Sequence, residues 1–300
     1  MNVDTRNSGN GWAISRRDFL KATGAAAAAV ALPGRAQAAE PLRFGLVTDT
    51  HYADADPLGT RHYRESLGKL RECVDRMNQE KVAFMCELGD FKDQDREANE
   101  ARTLTYLEKI EAEYKRFTGP RYYVLGNHDM DSLSKEQFLS RTAMPAPHYS
   151  FDNGEFHFIV LDACYLKDGT PYDHGQFTPQ ETYVSAPELE WLEKDLAAAK
   201  SPVIVFGHQR LDTETGVSVR NAAEVRAVLE KSGKVLGAFT GHDHPGGYTV
   251  INGIHYYTLI AVVEGSGEAS SSYAVVEAAQ SGDITITGYR RAVSKALARA

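Results

Sequence analysis

Five short apolar runs, each closing on Asp, Asn or His, constrain this chain more than anything else in it. "LRFGLVT" (42–48) runs into Asp49-Thr50-His51, "VAFMCEL" (82–88) into Gly89-Asp90, and "RYYVL" (121–125) into Gly126-Asn127-His128-Asp129. "VIVFG" (203–207) meets His208, and "VLGAFT" (235–240) meets Gly241-His242-Asp243-His244. Apolar runs of this length, bounded by turn residues, read as buried strands. A polar residue after one strand is turn chemistry. The same residue types after five strands form a collecting surface, because open α/β sheets bind ligands beyond the carboxyl ends of their strands.

Segments of helical period separate the runs. Leu67, Leu70, Val74 and Met77 share one face of 62–78, and helices are expected over 97–117, 187–199 and 221–231. A further strand, "FHFIVLD" (156–162), follows a linking region. The rhythm then changes: Asn252-Gly253 between two β-type runs in "GYTVINGIHYYTLI" marks a hairpin. Strands near 272–277 and 283–288 complete the pattern, and 291–300 reads as peripheral. The expectation is α/β with an antiparallel finish, folded as one domain over 39–300.

Residues 1–38 are different text. Arg16-Arg17 precede Phe19-Leu20-Lys21, a weakly apolar Ala-rich stretch follows, and Ala36-Gln37-Ala38 fits a small-residue cleavage site. This is the layout of a secretory signal, and the paired arginines resemble the bacterial twin-arginine export signal. The partner implied is the twin-arginine export machinery, and the destination is the periplasm or the exterior of a bacterium. No later apolar run approaches the roughly 20 residues of a membrane span, so no stable membrane anchor is expected. The leader carries five cationic against two acidic side chains, so the net charge of −8 for the whole chain becomes −11 for 39–300. An acidic body disfavours broad phosphate-backbone binding, and no nucleic-acid partner is expected. Cys73, Cys86 and Cys164 are odd in number and irregular in spacing, so buried free thiols are expected rather than a disulfide framework.

The chemistry at the strand ends is that of a cation site. Carboxylate, amide and imidazole ligands without thiolate suit manganese, iron, cobalt or zinc. Two such cations about 3.5–4 Å apart can hold a bridging hydroxide and clamp both ends of a phosphoryl displacement. One carboxylate must bridge them, and Asp90 stands alone on its strand. In D-x-H and H-x-H, residues i and i+2 of an extended chain point to one side, which would let both reach a common centre. Glycine precedes four of the five clusters, at Gly89, Gly126, Gly207 and Gly241, and allows a sharp turn with room for an ion. The other histidines, His62, His148, His157, His174 and His255, carry no such context.

"DTH", "GD", "GNHD", "GH" and "GHDH", in this order and spacing, resemble the calcineurin-like metallophosphoesterases over essentially all of 39–300. The resemblance implies a four-layer αββα sandwich holding two divalent metal ions (Mn, Fe or Zn). It implies Asp49, His51, Asp90 and His244 on one ion, and Asp90, Asn127, His208 and His242 on the other. His128 would then be the unligated acid that protonates the leaving oxygen, oriented by Asp129. Purple acid phosphatases carry a Tyr three residues after the bridging Asp; here that residue is Asp93, so a ferric tyrosinate site is not expected.

Within the family, "GTRHYRESLGKL", "LDACY" and "GHDHPGGY" with "YYTLIAVVEG" resemble the manganese-dependent ADP-ribose/CDP-alcohol diphosphatase branch. Arg61, Arg64 and Arg210 are the cations expected to meet a substrate phosphate, since arginine suits bidentate phosphate contacts. The function expected is an exported phosphoesterase acting on a small phosphate ester or diphosphate, by in-line attack of a hydroxide held between the cations. The alternative is a metal- or nucleotide-binding protein on the same fold that does not catalyse.

Overall fold

The computed structural model describes Met1 and residues 40–299. The expected export leader, with its cleavage site, lies outside the described residues. Among the described residues, twelve strands form two six-stranded sheets. In the first, β1 (Leu42–Val47), β2 (Met85–Glu87) and β3 (Arg121–Tyr123) are parallel, and β10 (Ser272–Ala278) returns antiparallel beside β1. β11 (Ile284–Arg290) and β12 (Lys295–Leu297) extend that edge, giving the order β12-β11-β10-β1-β2-β3. The second sheet is built from the six strands between residues 149 and 258. Its β5 (Phe156–Val160), β6 (Val203–Phe206), β7 (Val235–Thr240) and β9 (Ile254–Thr258) are parallel, and β4 (Tyr149–Asn153) and β8 (Gly247–Ile251) are antiparallel edges.

Strand alternation divides the apolar side chains between two cores. On β6, Ile204 and Phe206 face the first sheet, whereas Val203 and Val205 face outward onto helices. Between the sheets, Phe44 meets Phe158, Phe206 and Phe239 edge-on with ring centres 5.5, 5.8 and 6.3 Å apart. Such T-shaped pairs contribute roughly 0.5–1.5 kcal/mol each beyond the area they bury. The outer core takes Leu192 and Leu196 of α4 (Ala186–Ala198) and Val225 and Leu229 of α5 (Ala222–Ser232). On the far side, α1 (Ser66–Glu80) buries Leu70, Cys73, Val74 and Met77, and a Cβ on Gly45 of β1 would lie 2.6 Å from Met77 Sδ. With α2 (Glu100–Tyr114) beside α1, the layers are helix, sheet, sheet, helix, as the family resemblance implies.

Three elements depart from the sequence reading. The linking region holds a helix, α3 (Lys135–Arg141), opened by a reciprocal capping box between Ser134 and Gln137. It also holds β4, whose half-exposed "YSFDN" lacks the apolar run of a central strand. The last ten residues are not wholly peripheral, because β12 pairs with β11 and buries Leu297. The hairpin forms where expected, with φ of +49° at Asn252 and +81° at Gly253. All three cysteines are buried and free.

Candidate metal centre

The carboxyl ends of β1, β2 and β3 in one sheet and of β6 and β7 in the other meet at a single place. Asp49, His51, Asp90, Asn127, His208 and His242 arrive there from five strand ends, with His244 beside them, and the first five are at most 2% exposed. The D-x-H and H-x-H segments do not converge by extended alternation. Asp49, His51, Asp90 and His242 have φ of +53°, +45°, +56° and +64°, so the chain turns left-handed at each. That conformation costs a residue with a Cβ of order 1–3 kcal/mol, and it persists where surrounding structure enforces it. Three of the glycines serve close approach rather than room for an ion: a Cβ on Gly89 (φ +99°) would lie 2.5 Å from His208 Nδ1. Cβ atoms on Gly126 and Gly241 would collide with Asp90 and with Thr48 and Asp49, whereas Gly207 meets nothing closer than 4.0 Å.

Two triads of ligand atoms that share no residue result, Asp49/His51/His244 and Asp90/His208/His242, and a third group, His51/Asp93/His128, overlaps the first at His51. Asp90 Oδ2 lies 3.4 Å from His51 Nε2 and 3.1 Å from His208 Nε2, so one oxygen faces both groups. His51 and His244 Nε2 lie 3.6 and 3.5 Å from Asp49 Oδ1.

Partners behind the rings decide which nitrogen carries the proton. His51 Nδ1 donates to Asp93 Oδ2 (3.1 Å), His208 Nδ1 to the Leu88 carbonyl (2.8 Å) and His244 Nδ1 to Glu264 Oε1 (2.5 Å). With the rings neutral, as a cation would require, each Nε2 is left with a lone pair aimed inward. The lone pairs of His51 and His244 then face each other at 3.2 Å, an arrangement that repels unless positive charge lies between them. Asp49 Oδ1, Asn127 Oδ1 and His242 Nε2 are buried without a hydrogen-bond partner. Burial opposes charge on His208, yet Asp90 and Asp49 outweigh it and raise the ring to about 9. Asp90 is held well below the usual carboxylate range against its burial, by His208, His128 and His51. Orphaned acceptors, opposed lone pairs and a field that favours positive charge all fit hard or borderline divalent cations.

His128 borders this cluster with its side chain about a quarter exposed (25%). Its backbone N–H donates to Asp90 Oδ1 (2.8 Å), and Lys92 Nζ donates to its carbonyl. The orienting contact expected of Asp129 is made by other residues. Asp129 accepts four backbone N–H groups instead, from Asp90 (3.0 Å), Gly126 (2.9 Å), Phe91 (3.0 Å) and Lys92 (3.3 Å), and so staples two strand-end loops together. His128 Nδ1 sits 2.7 Å from Asp131 Oδ2, near but off the line of a hydrogen bond, and 3.6 Å from Asp93 Oδ2. Burial opposes protonation of His128, and Asp90, Asp93 and Asp131 together hold the ring well above the ordinary histidine value.

The three arginines part company. Arg64 is held by Asp54 (2.5 Å) and Asp56 (2.6 Å), away from any phosphate role. Arg210 is taken by Asp212 (2.7 Å) and by Asp243 (2.6 Å), which is the task of the acid between His242 and His244. Arg61 forms no ion pair among the described residues, and its backbone bridges to Glu264, the acid behind His244. His62, His148, His157, His174 and His255 join neither triad. The sequence reading missed Asp93, Asp131 and Glu264 as partners of the site; only Asp93, three residues after Asp90, stood in a position that drew notice.

Comparison with known proteins agrees with this geometry. Residues 42–246 match the family described as calcineurin-like phosphoesterase, and residues 13–33 match the twin-arginine translocation pathway signal sequence. Among the described residues no helix is long and apolar enough to cross a membrane. A rice protein named manganese-dependent ADP-ribose/CDP-alcohol diphosphatase is 29% identical over 278 residues, covering 76% of this chain and 86% of its own. The human protein of that name is 25% identical, covering 74% of this chain and 82% of its own. A dimetal phosphatase from Danio rerio superposes with a TM-score of 0.74 at 22% identity, over 87% of this chain and all (100%) of that one. The chain belongs to the calcineurin-like phosphoesterase family, and is a phosphoester hydrolase with a site for two divalent cations.

Proposed function

We propose that this chain, exported and relieved of residues 1–38, hydrolyses small diphosphates of the nucleotide type in the periplasm or outside a bacterial cell. Residues 39–300 would be the working enzyme. Asp49, His51, Asp90 and His244 would hold one cation, and Asp90, Asn127, His208 and His242 the other. When bound, two such cations supply Lewis-acid polarisation of phosphoryl oxygens and an activated water at neutral pH. The observation that carries this reading is Asp90 Oδ2 between the two triads, with His128 at their edge.

The chain's own residues have separable tasks. His128 Nδ1 faces Asp131 and Asp93, which leaves Nε2 to deliver a proton to the departing oxygen as the P–O bond breaks. Asp90 Oδ1, accepting the His128 backbone N–H, fixes that ring relative to the ligands. Arg61, with no ion pair among the described residues, is suited to a second phosphate, whereas Arg64 and Arg210 are already neutralised. The relatives named as ADP-ribose/CDP-alcohol diphosphatases support both the diphosphate class and manganese as the native ion. The acidic body, −11 after removal of the leader, also favours small substrates over nucleic acid.

The test is a substrate panel on manganese-loaded 39–300, with ADP-ribose and CDP-choline beside aryl phosphate monoesters and diesters. One extra arginine–phosphate contact is worth roughly 1.5–3 kcal/mol, so kcat/KM should favour the diphosphates by at least about tenfold. A preference for the aryl monoester by a similar factor would overturn the diphosphate assignment.

A further inference from the structure

Lys69 of α1 is fully buried, yet its ammonium pairs with no carboxylate among the described residues. Nζ is surrounded by four consecutive carbonyls, those of Val262 (2.8 Å), Val263 (3.4 Å), Glu264 (3.3 Å) and Gly265 (2.6 Å). An ammonium removed from water demands such compensation, and here oxygen dipoles of one short strap provide it. Burial lowers the group to about 8, in keeping with a charge held by neutral acceptors.

The strap lies against one half of the metal centre. Val262 and Val263 donate their N–H groups to the carbonyls of Thr48 (3.2 Å) and Asp49 (3.0 Å). His62 N–H donates to Val263 O (2.9 Å), and Gly265 N–H donates to Thr60 O (2.7 Å), so the strap holds the chain on both sides of Arg61. From its middle, Glu264 receives His244 Nδ1–H at 2.5 Å. The other half has different supports: His208 leans on the Leu88 carbonyl, and Asp90 is held through the loops that Asp129 staples.

We propose that Lys69 is a positioning residue for one cation only, acting through the 262–265 strap and Glu264 to aim His244 Nε2 at the Asp49/His51 side. This rests on the ligand assignment proposed above. Partners behind a metal-binding histidine typically affect cation affinity by about 10–100-fold when lost. Lys69 should therefore matter to one of two bound ions and not to its neighbour, which no general loosening of the fold would do.

The experiment titrates manganese(II) into apo 39–300, its Lys69→Met variant and its Glu264→Gln variant, and counts ions per chain after gel filtration. Circular dichroism establishes that each variant is folded. Methionine preserves most of the lysine stem while removing the charge. The wild type should bind two ions, and both variants should keep one site intact while the other weakens about 10–100-fold. If the methionine variant does not fold, the same comparison is made with Lys69→Gln and with Glu264→Gln, whose side chain lies nearer the surface. Two sites of wild-type affinity in the folded Lys69 variant, or equal weakening of both, would overturn the role of Lys69. A wild type that bound no pair of ions would instead overturn the ligand assignment on which it rests.

Discussion

Replacing His128 with alanine should lower turnover by about 10²–10⁴ while two cations still bind. The expectation follows from what this ring touches. Its backbone is held by Asp90 Oδ1 and Lys92, and its Nδ1 faces Asp131 and Asp93. Its ring lies in a group with His51 and Asp93, outside the Asp49/His51/His244 and Asp90/His208/His242 groups proposed to hold the cations. On the ligand assignment proposed above, deleting this ring removes a proton donor and no ligand. The check pairs kcat under saturating substrate with metal content by elemental analysis. Loss of an ion together with activity would make His128 a ligand, and unchanged turnover would remove it from the reaction.

The Asp90→Asn variant should fail in the opposite way, losing cations first and activity as the consequence. Asp90 Oδ2 faces the inward nitrogens of both imidazoles, 3.4 Å from His51 Nε2 and 3.1 Å from His208 Nε2, and the amide that replaces it carries no charge. Breaking a buried charge pairing of this kind costs about 3–5 kcal/mol, a fall of roughly 10²–10⁴ in affinity for at least one ion. The apo protein also loses the attraction of Asp90 to His208, His128 and His51, but it has no bound ion to lose and should change less. The signature is therefore a collapse of the gap between loaded and apo melting temperatures. A variant that kept two ions with unchanged affinity would place the bridge elsewhere.

Most of the candidate site was legible in the sequence, because the side chains proposed as ligands follow apolar runs that read as strands. The alternation of those runs with helical segments indicated an α/β fold, and the four layers were implied by the family resemblance. What escaped was local geometry and everything set by distant pairing. Asp49 and His51 were expected to align by strand alternation, yet both are left-handed, since tertiary bonds from Asp49 and His51 N–H to Gly89 and Asp90 carbonyls bend the chain there. Asp129 was expected to hold His128, but its carboxylate lies among backbone amides, and a turn of 3₁₀ helix (His128–Met130) brings Asp131 to the ring. Strand β4 escaped because an edge strand need not be apolar, and α3 because one capping box opens only seven residues of helix. Glu264 and Lys69 are separated by 195 positions, and no local pattern announces that one restrains the other.

The most direct test is anomalous diffraction from crystals of residues 39–300 grown with manganese. The account predicts two peaks about 3.5–4 Å apart, one among Asp49, His51 and His244, the other among Asn127, His208 and His242, with Asp90 reaching both. A single peak, or two ions lying outside these side chains, would contradict it.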